Sequence, residues 1–340
     1  STGLGLRARG KRLLHTARIQ SLLRRYRARS VAAADGNARD IAGLIQRLVP
    51  AGGIYLNVGH DNLTDDVMTG IADAGLIRAV LLHDTIPLDF PEFARPGTPA
   101  KFQLKLQAAK QADLLVFNSA HTGQRVAHHL GSLHPNTCVA PLGIEPHGGA
   151  ARSSPHPYFL CLGTIEPRKN HAMLLDIWDG LHGAPPPIPL RIAGRRGWRN
   201  KAVFERLDTG GTMGRTVFED AAPDDATLSD LVKGACAVLL PSYAEGYGLP
   251  VAEALAAGVP VIASDLPALR SVGQDVPEWL PPDAPDRWRE TLIDYAEQPS
   301  QAKQAQLQRL SAWSPPTWDA HFAIVENALE TILVQVRQRA

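Results

Sequence analysis

The sequence predicts an α/β protein built from two doubly wound, Rossmann-like parallel-sheet domains that face a cleft. Three observations carry this. Short apolar runs such as Leu114–Phe117 (LLVF) and Ala237–Leu240 (AVLL) are apolar at every position, the mark of strands buried on both faces. Helical segments alternate with these runs, which is the βαβ pattern. The pattern also restarts after a Gly-, Ser- and Pro-rich stretch at residues 145–157, which reads as a linker. The division read from this is 1–150 for a first domain, 151–317 for a second, and 318–340 for a closing helix. With 340 residues, 44% apolar and 20% charged, the chain has the composition of a folded core.

The elements follow in order. Asp40 to Val49 reads as a helix ended by Pro50 and the Gly52–Gly53 pair. Strands are expected at Ile54–Val58, Ala79–Leu82, Leu114–Phe117 and Thr137–Ala140, with helices over Lys101–Ala112 and Thr122–Leu130. In the second half, strands are expected at Tyr158–Leu162, Leu190–Ala193, Thr216–Phe218, Ala237–Leu240 and Val261–Ala263. Helices are expected over His171–Leu181, Leu228–Gly234 and Pro250–Ala257. Pro250 suits a first helical turn, and Gly258 suits the left-handed position after the last. No opening strand with a Gly-rich loop precedes residue 30, so the first domain reads as short and the chain as a possible fragment.

Charge and cysteine content exclude several classes. The net charge of +1 names no nucleic-acid partner. Cys138, Cys161 and Cys236 are too few and too scattered for a disulfide framework or a thiolate metal site, which points to a reducing compartment. No apolar run reaches the roughly 20 residues of a membrane span, and no signal-peptide h-region is present. The expected location is the cytoplasm, at the inner face of the cell membrane. That last clause rests on residues 1–34, which carry nine basic side chains and no acid, leaving 26 basic against 34 acidic residues, a net of −8, for the remainder. Ile19, Leu22, Leu23 and Tyr26 fall on one face of a helix there. Two readings stand open: a solvated helix packed on the body, or a basic helix lying on an anionic membrane surface.

Two stretches carry chemistry. In PSYAEGYGLPVAEA (241–254), Gly246 and Gly248 let backbone approach a ligand, and the following helix start offers free N–H groups and positive dipole to a diphosphate. Glu245 and Glu253 are anionic, so their task beside a phosphate site is to accept hydrogen bonds from sugar hydroxyls. In GTIEPRKNH (163–171), the adjacent cations Arg168 and Lys169 sit in a strand-to-helix loop, well placed to neutralise a diphosphate.

Together these stretches resemble the retaining GT-B glycosyltransferases of family four. Glu245 and Glu253 match that family's Glu, seven residues, Glu signature, and GTIEPRKN, LRIAGRRGW and PSYAEGYGLPVAEALAAGVPVIAS match its flanks over about 159–273. HDTIPLDFPEF (83–93) resembles the acceptor-domain loop of the mannosyl- and rhamnosyltransferase branch, and the helix from Trp318 onward resembles the one that crosses back to the first domain. The resemblance implies that Glu253 holds the nucleotide ribose. It implies that Glu245, with the N–H groups of Gly246, Tyr247 and Gly248 and the neighbouring Leu249, holds the donor sugar and distal phosphate. His83 would stand by the anomeric carbon, and Asp84 would orient His83 or touch the acceptor. Thr164 stands where many members carry Arg, so that Arg168 or Arg195 supplies the phosphate's cation.

The expected reaction is transfer of a hexose, mannose before others, from a nucleotide diphosphate sugar to a hydroxyl of a glycan or lipid-linked acceptor. It would proceed with retention, without a metal or cofactor, in cell-surface polysaccharide (lipopolysaccharide) synthesis. Two other readings stand beside it: a nucleotide-sugar 2-epimerase-like enzyme, and a catalytically inactive nucleotide-sugar-binding module.

Overall fold

The computed structural model describes residues 43, 49, 52–132, 134–145, 156–181, 188–209, 214–297 and 299–339. The expected basic helix in 1–34 and most of the 40–49 helix and of the 145–157 linker lie outside the described residues.

Among the described residues there are two separate all-parallel sheets. The first has four strands in sequential order: β1 (Ile54–Asn57), β2 (Ile77–Leu82), β3 (Leu114–Phe117) and β4 (Thr137–Val139). Helices α1 (Asp65–Asp73), the short α2 (Ile86–Asp89), α3 (Thr98–Ala109) and α4 (Ala120–Leu130) connect them. The second has six strands: β5 (Phe159–Leu162), β6 (Leu190–Gly194), β7 (Val217–Ala221), β8 (Ala237–Leu240), β9 (Val261–Ser264) and β10 (Glu278–Leu280). Its spatial order is β10-β9-β8-β5-β6-β7. The chain therefore leaves β5 in one direction and returns at β8 to build in the other. A doubly wound sheet opens its ligand crevice at that reversal, beyond the carboxyl ends of the two central strands. Every residue of β3, β5, β8 and β9 is buried, which is why these strands are legible as unbroken apolar runs.

The structure adds elements that the apolar pattern did not announce. They are α1, α2, α6 (Lys201–Thr209), α9 (Pro267–Gly273), α10 (Pro285–Ala296), α11 (Gln301–Leu310) and β10. Several are polar helices set by caps: Thr64 accepts from the Val67 amide and Ser300 from the Lys303 amide, each satisfying a free first-turn N–H. The remaining helices are α5 (His171–Gly180), α7 (Asp225–Gly234), α8 (Leu249–Ala256) and α12 (Trp318–Arg339). Helix α8 starts one residue earlier than expected, with Leu249 before Pro250, and Gly258 takes a left-handed φ of 78° after its end.

The two halves share one apolar cluster, which joins Leu81 and Val116 of the first sheet to Leu240 and Val251 of the second, and to Val325 and Ile332 of α12. Helix α12 packs on β3 and β4. Its approach depends on Gly143, where a Cβ would lie 2.2 Å from the Trp318 amide nitrogen. His321 on α12 donates from Nδ1 to the Ala140 carbonyl, 3.0 Å away.

Candidate functional site

Two loops meet at the strand reversal. The loop after β5 starts at Gly163, whose φ of 125° requires glycine. A Cβ on Gly194, at the end of β6, would meet the Gly163 carbonyl oxygen at 1.9 Å, so β5 and β6 end in contact there. The loop after β8 runs to Gly248, which caps α8 with a φ of 106°. The α8 start thus points its free N–H groups into the crevice. The Tyr243 amide donates to the Arg168 carbonyl at 2.8 Å, which ties the two loops together.

Glu245 is the hub. Its Oε1 accepts from Lys169 Nζ at 2.5 Å and from Ser242 Oγ at 2.6 Å, and its Oε2 accepts from Arg168 Nη1 at 3.1 Å. Arg168 Nη1 also donates to the Ala244 carbonyl, and Arg168 Nε pairs with Glu166 at 2.6 Å. Glu245 and Lys169 side chains are 8% and 9% exposed. Burial alone would push the Glu245 carboxyl up; Lys169 and Arg168 beside it instead hold it at about 2. Burial likewise pushes Glu166 up, and its Oε2 is buried without a hydrogen-bond partner. The sequence reading has Arg168 and Lys169 placed to neutralise a diphosphate; in this structure Arg168 is paired with Glu166 and Glu245, and Lys169 with Glu245.

The first domain meets this cluster directly. A Cβ on Gly246 would lie 3.0 Å from Asp84 Cβ and Oδ2 and 3.1 Å from the His83 carbonyl oxygen. Any larger residue at 246 would push Asp84 and the His83 backbone back by a few tenths of an ångström. His83 follows β2, and its Nε2 lies 2.7 Å from the Val58 carbonyl oxygen. A carbonyl only accepts, so His83 Nε2 donates in this contact. His60 reciprocates from the loop after β1, its Nε2 donating to the Leu81 carbonyl at 2.9 Å. Burial, then the neighbouring His83, hold His60 down at about 4. Asp84 does not hydrogen-bond His83; its Oδ1 accepts from the Ile86 amide at 3.0 Å and starts α2. Orientation of His83 thus comes from Val58, a correction to the first of the two roles expected of Asp84, orienting His83 or touching the acceptor. Burial pushes the Asp84 carboxyl up.

The other expected site residues divide. Glu253 is half-buried one turn into α8. Leu249 opens that helix. Tyr247 sends its side chain away from the crevice, donating its hydroxyl to the Leu142 carbonyl of the first domain at 2.9 Å. The Thr164 methyl packs on Gly197. Arg195 is exposed and lines a second hollow of about 370 Å³ with Glu219 and Ala222, apart from the Glu245 cluster.

Two groups escaped the sequence reading. One is a clasp across the cleft. Trp198 Nε1 donates to the Phe93 carbonyl at 2.9 Å, Arg199 Nη1 donates to the Ala94 carbonyl at 3.0 Å, and the Phe93 ring stacks on Tyr243 at 5.7 Å. The other is a network around Asp89, which accepts from Thr85, Arg125 and His129. The clue to both lay in LDFPEF and GRRGW, aromatic and charged residues within loops that follow strands.

The fold, with its crevice at the strand reversal, is a GT-B architecture. Comparison with known proteins agrees. Residues 149–309, which hold the second sheet, match the model of the family described as glycosyl transferases group 1. The serotype-specific mannosyltransferase WbdA of Escherichia coli is 28% identical over 235 residues, 62% of this chain and 29% of that protein. The O-antigen chain mannosyltransferase B of the same species is 35% identical over 119 residues, 35% of this chain and 31% of that protein. The matched stretches therefore span less than a third of these relatives. Among solved structures, Anabaena HepE in complex with UDP and glucose superposes with a TM-score of 0.62 at 15% identity, covering 89% of this chain and 80% of that one. The chain is thus GT-B in fold and family-four-like, with mannosyltransferase relatives, as its motifs imply.

Proposed function

We propose that this chain is a retaining hexosyltransferase, with mannose as its first donor sugar, acting on a hydroxyl of a glycan or lipid-linked acceptor in cell-surface polysaccharide synthesis. The observation that carries the reading is the buried Glu245–Lys169–Arg168 cluster at the strand reversal, with His83 and Asp84 pressed against Gly246 from the other domain. A donor diphosphate entering there finds two cations and the α8 amides, which stabilise the departing charge without a metal. Glu245, released from part of its pairing, accepts from a hydroxyl of the sugar, and Glu253 accepts from the ribose. In the transfer, the bond from the anomeric carbon to the diphosphate oxygen breaks. The acceptor oxygen bonds to that carbon on the same face, and its proton passes to the departing phosphate. His83 stands beside this centre, its Nε2 held by the Val58 carbonyl.

The mannosyltransferase relatives support mannose and a polysaccharide product. Among the described residues no helix is long and apolar enough to cross a membrane. Docking at the inner membrane face rests on residues 1–34 alone.

The test is incubation with GDP-mannose, UDP-hexoses and dTDP-rhamnose, with and without a mannosyl acceptor, in EDTA and in Mg²⁺. The expected result is acceptor-dependent release of nucleoside diphosphate that survives EDTA, with an α-linked product by NMR. Acceptor-independent epimerisation, or no turnover of any donor, refutes it.

A further inference from the structure

The β1–β2 ladder ends at Asn57, which pairs with Val80, and the chain then turns through residues 58–61. Asn57 builds that turn from inside. Its buried side chain accepts from the Gly59 and His60 amides at 3.3 and 2.9 Å and donates to the Asp61 carbonyl at 3.0 Å. His60 takes a left-handed φ of 58° there, a conformation His adopts more readily than most residues with a side chain. The turn is thus one unit, held together by Asn57.

Two imidazole-to-carbonyl bonds tie this unit to β2, and they run in opposite directions. His83, just after β2, donates from Nε2 to the Val58 carbonyl at 2.7 Å. His60 donates from Nε2 to the carbonyl of Leu81, two residues before His83, at 2.9 Å. The two rings lie 5.2 Å apart. The His60 ring also meets Phe102 of α3 edge-on, with centroids 5.9 Å apart. His60 therefore braces the turn against β2 and α3 together. Without that brace the Val58 carbonyl shifts with the turn, and the His83 ring that it holds shifts too.

The type of side chain suits a place beside a reacting centre. An arginine or lysine could make the same bond to Leu81 but would add a permanent cation next to His83. Burial, then His83, hold His60 down at about 4; Lys105 lowers it further and Asp61 opposes them. At neutral pH the half-buried ring is uncharged, so it supplies one N–H donor and a flat edge with no added charge.

We propose that His60 is a positioning residue for the transfer reaction: through the turn that carries Val58 it fixes the His83 imidazole against the reacting centre. This rests on the glycosyltransferase reading above. It adds a residue that acts through His83 rather than on a substrate.

The experiment uses the full chain and reads His83 directly as well as turnover. An imidazole N–H gives a proton NMR signal only while a hydrogen bond protects it from exchange, and loss of one such signal in His83→Ala assigns it to His83. That signal is present in the unaltered chain and absent in His60→Phe, which keeps a ring but no N–H. It returns in His60→Gln, whose amide restores the donor. Both variants carry the same left-handed backbone, so their difference reads the N–H alone. With the donor that the unaltered chain turns over, His60→Phe lowers kcat about tenfold, within the roughly hundredfold that a 1 Å misplacement can cost. Donor KM stays within about twofold, and His60→Gln recovers most of the loss. The double variant His60→Phe/His83→Ala is at most about twofold slower than His83→Ala, because nothing is left to position. His60→Ala replaces the Phe variant if that one does not fold. No protected His83 signal in the unaltered chain, its persistence in His60→Phe, losses shared equally by kcat and KM, or additive losses in the double variant each overturn the proposal. If the unaltered chain transfers no sugar from any donor, the glycosyltransferase reading fails, while the NMR comparison still shows whether His60 fixes His83.

Discussion

Replacing Glu245 by Gln should make the protein less stable and at the same time a better binder of free nucleoside diphosphate. Gln keeps the volume and one acceptor but removes the charge that holds Lys169 and Arg168. The Glu245 carboxyl is held at about 2 against an ordinary 4.5. At about 1.4 kcal/mol per pKa unit, that difference is about 3 kcal/mol of stabilisation in the ionised form. The side chain is almost fully buried, so solvent screening takes little from it. The sign follows from the depression: the contribution is complete above the unfolded carboxyl's pKa and is lost as pH falls from about 4.5 toward 2. For a domain of this size, a loss of about 3 kcal/mol lowers the melting temperature by roughly 6–12 °C. Thermal melts of wild type and Glu245→Gln at pH 7 should therefore differ by that amount, and the gap should narrow below pH 4. Calorimetry at pH 7 should show tighter nucleoside diphosphate binding by the variant, since its two cations no longer have Glu245 to leave, while sugar transfer falls. A variant that melts within 2 °C of wild type at pH 7, or binds nucleotide more weakly, would refute the account of Glu245 as the counter-charge of an idle phosphate site.

Three further expectations can be checked with ordinary assays. Glu253→Ala should weaken nucleotide-sugar binding by about 1–3 kcal/mol, because ribose hydroxyls lose a charged acceptor; an unchanged affinity by titration removes Glu253 from the site. His83→Ala should cut turnover by about 10²-fold with little change in donor affinity, since its contact matters as charge develops at the anomeric carbon; equal losses in both mark it as a simple binding residue. Deleting residues 1–34 should abolish salt-sensitive co-sedimentation with anionic vesicles, since each basic residue near such a surface contributes about 1 kcal/mol; equal binding by the truncated and full chains refutes a membrane role for that segment.

The sequence by itself determined the strands and the chemistry-bearing loops. Strands β3 and β8 were readable to the residue, because a parallel strand covered on both faces must be apolar at every position. The loops after β5 and β8 were readable because glycine, proline and paired charges have few other uses at a strand end. Helices α1, α6, α10 and α11 were not readable in this way. They sit on the outside of the sheets, where a narrow apolar stripe suffices, with a capping hydroxyl on α1 and α11, and a polar run looks like a loop. Strand β10 is three residues long, too short to show a pattern.

What only the tertiary structure decided is which group meets which. Glu245 finds Lys169 and Arg168 from 76 and 77 residues away because β8 lies beside β5, an order no local pattern encodes. Asp89 finds Arg125 and His129 across 36 and 40 residues because α2 and α4 both sit beyond the carboxyl ends of the first sheet. Gly246 meets Asp84 because the two domains close on each other. Burial periodicity is written along a chain one residue at a time. Charge pairing is settled by which buried groups must share a low-dielectric space, and that is known only once the sheets are ordered and the cleft is shut.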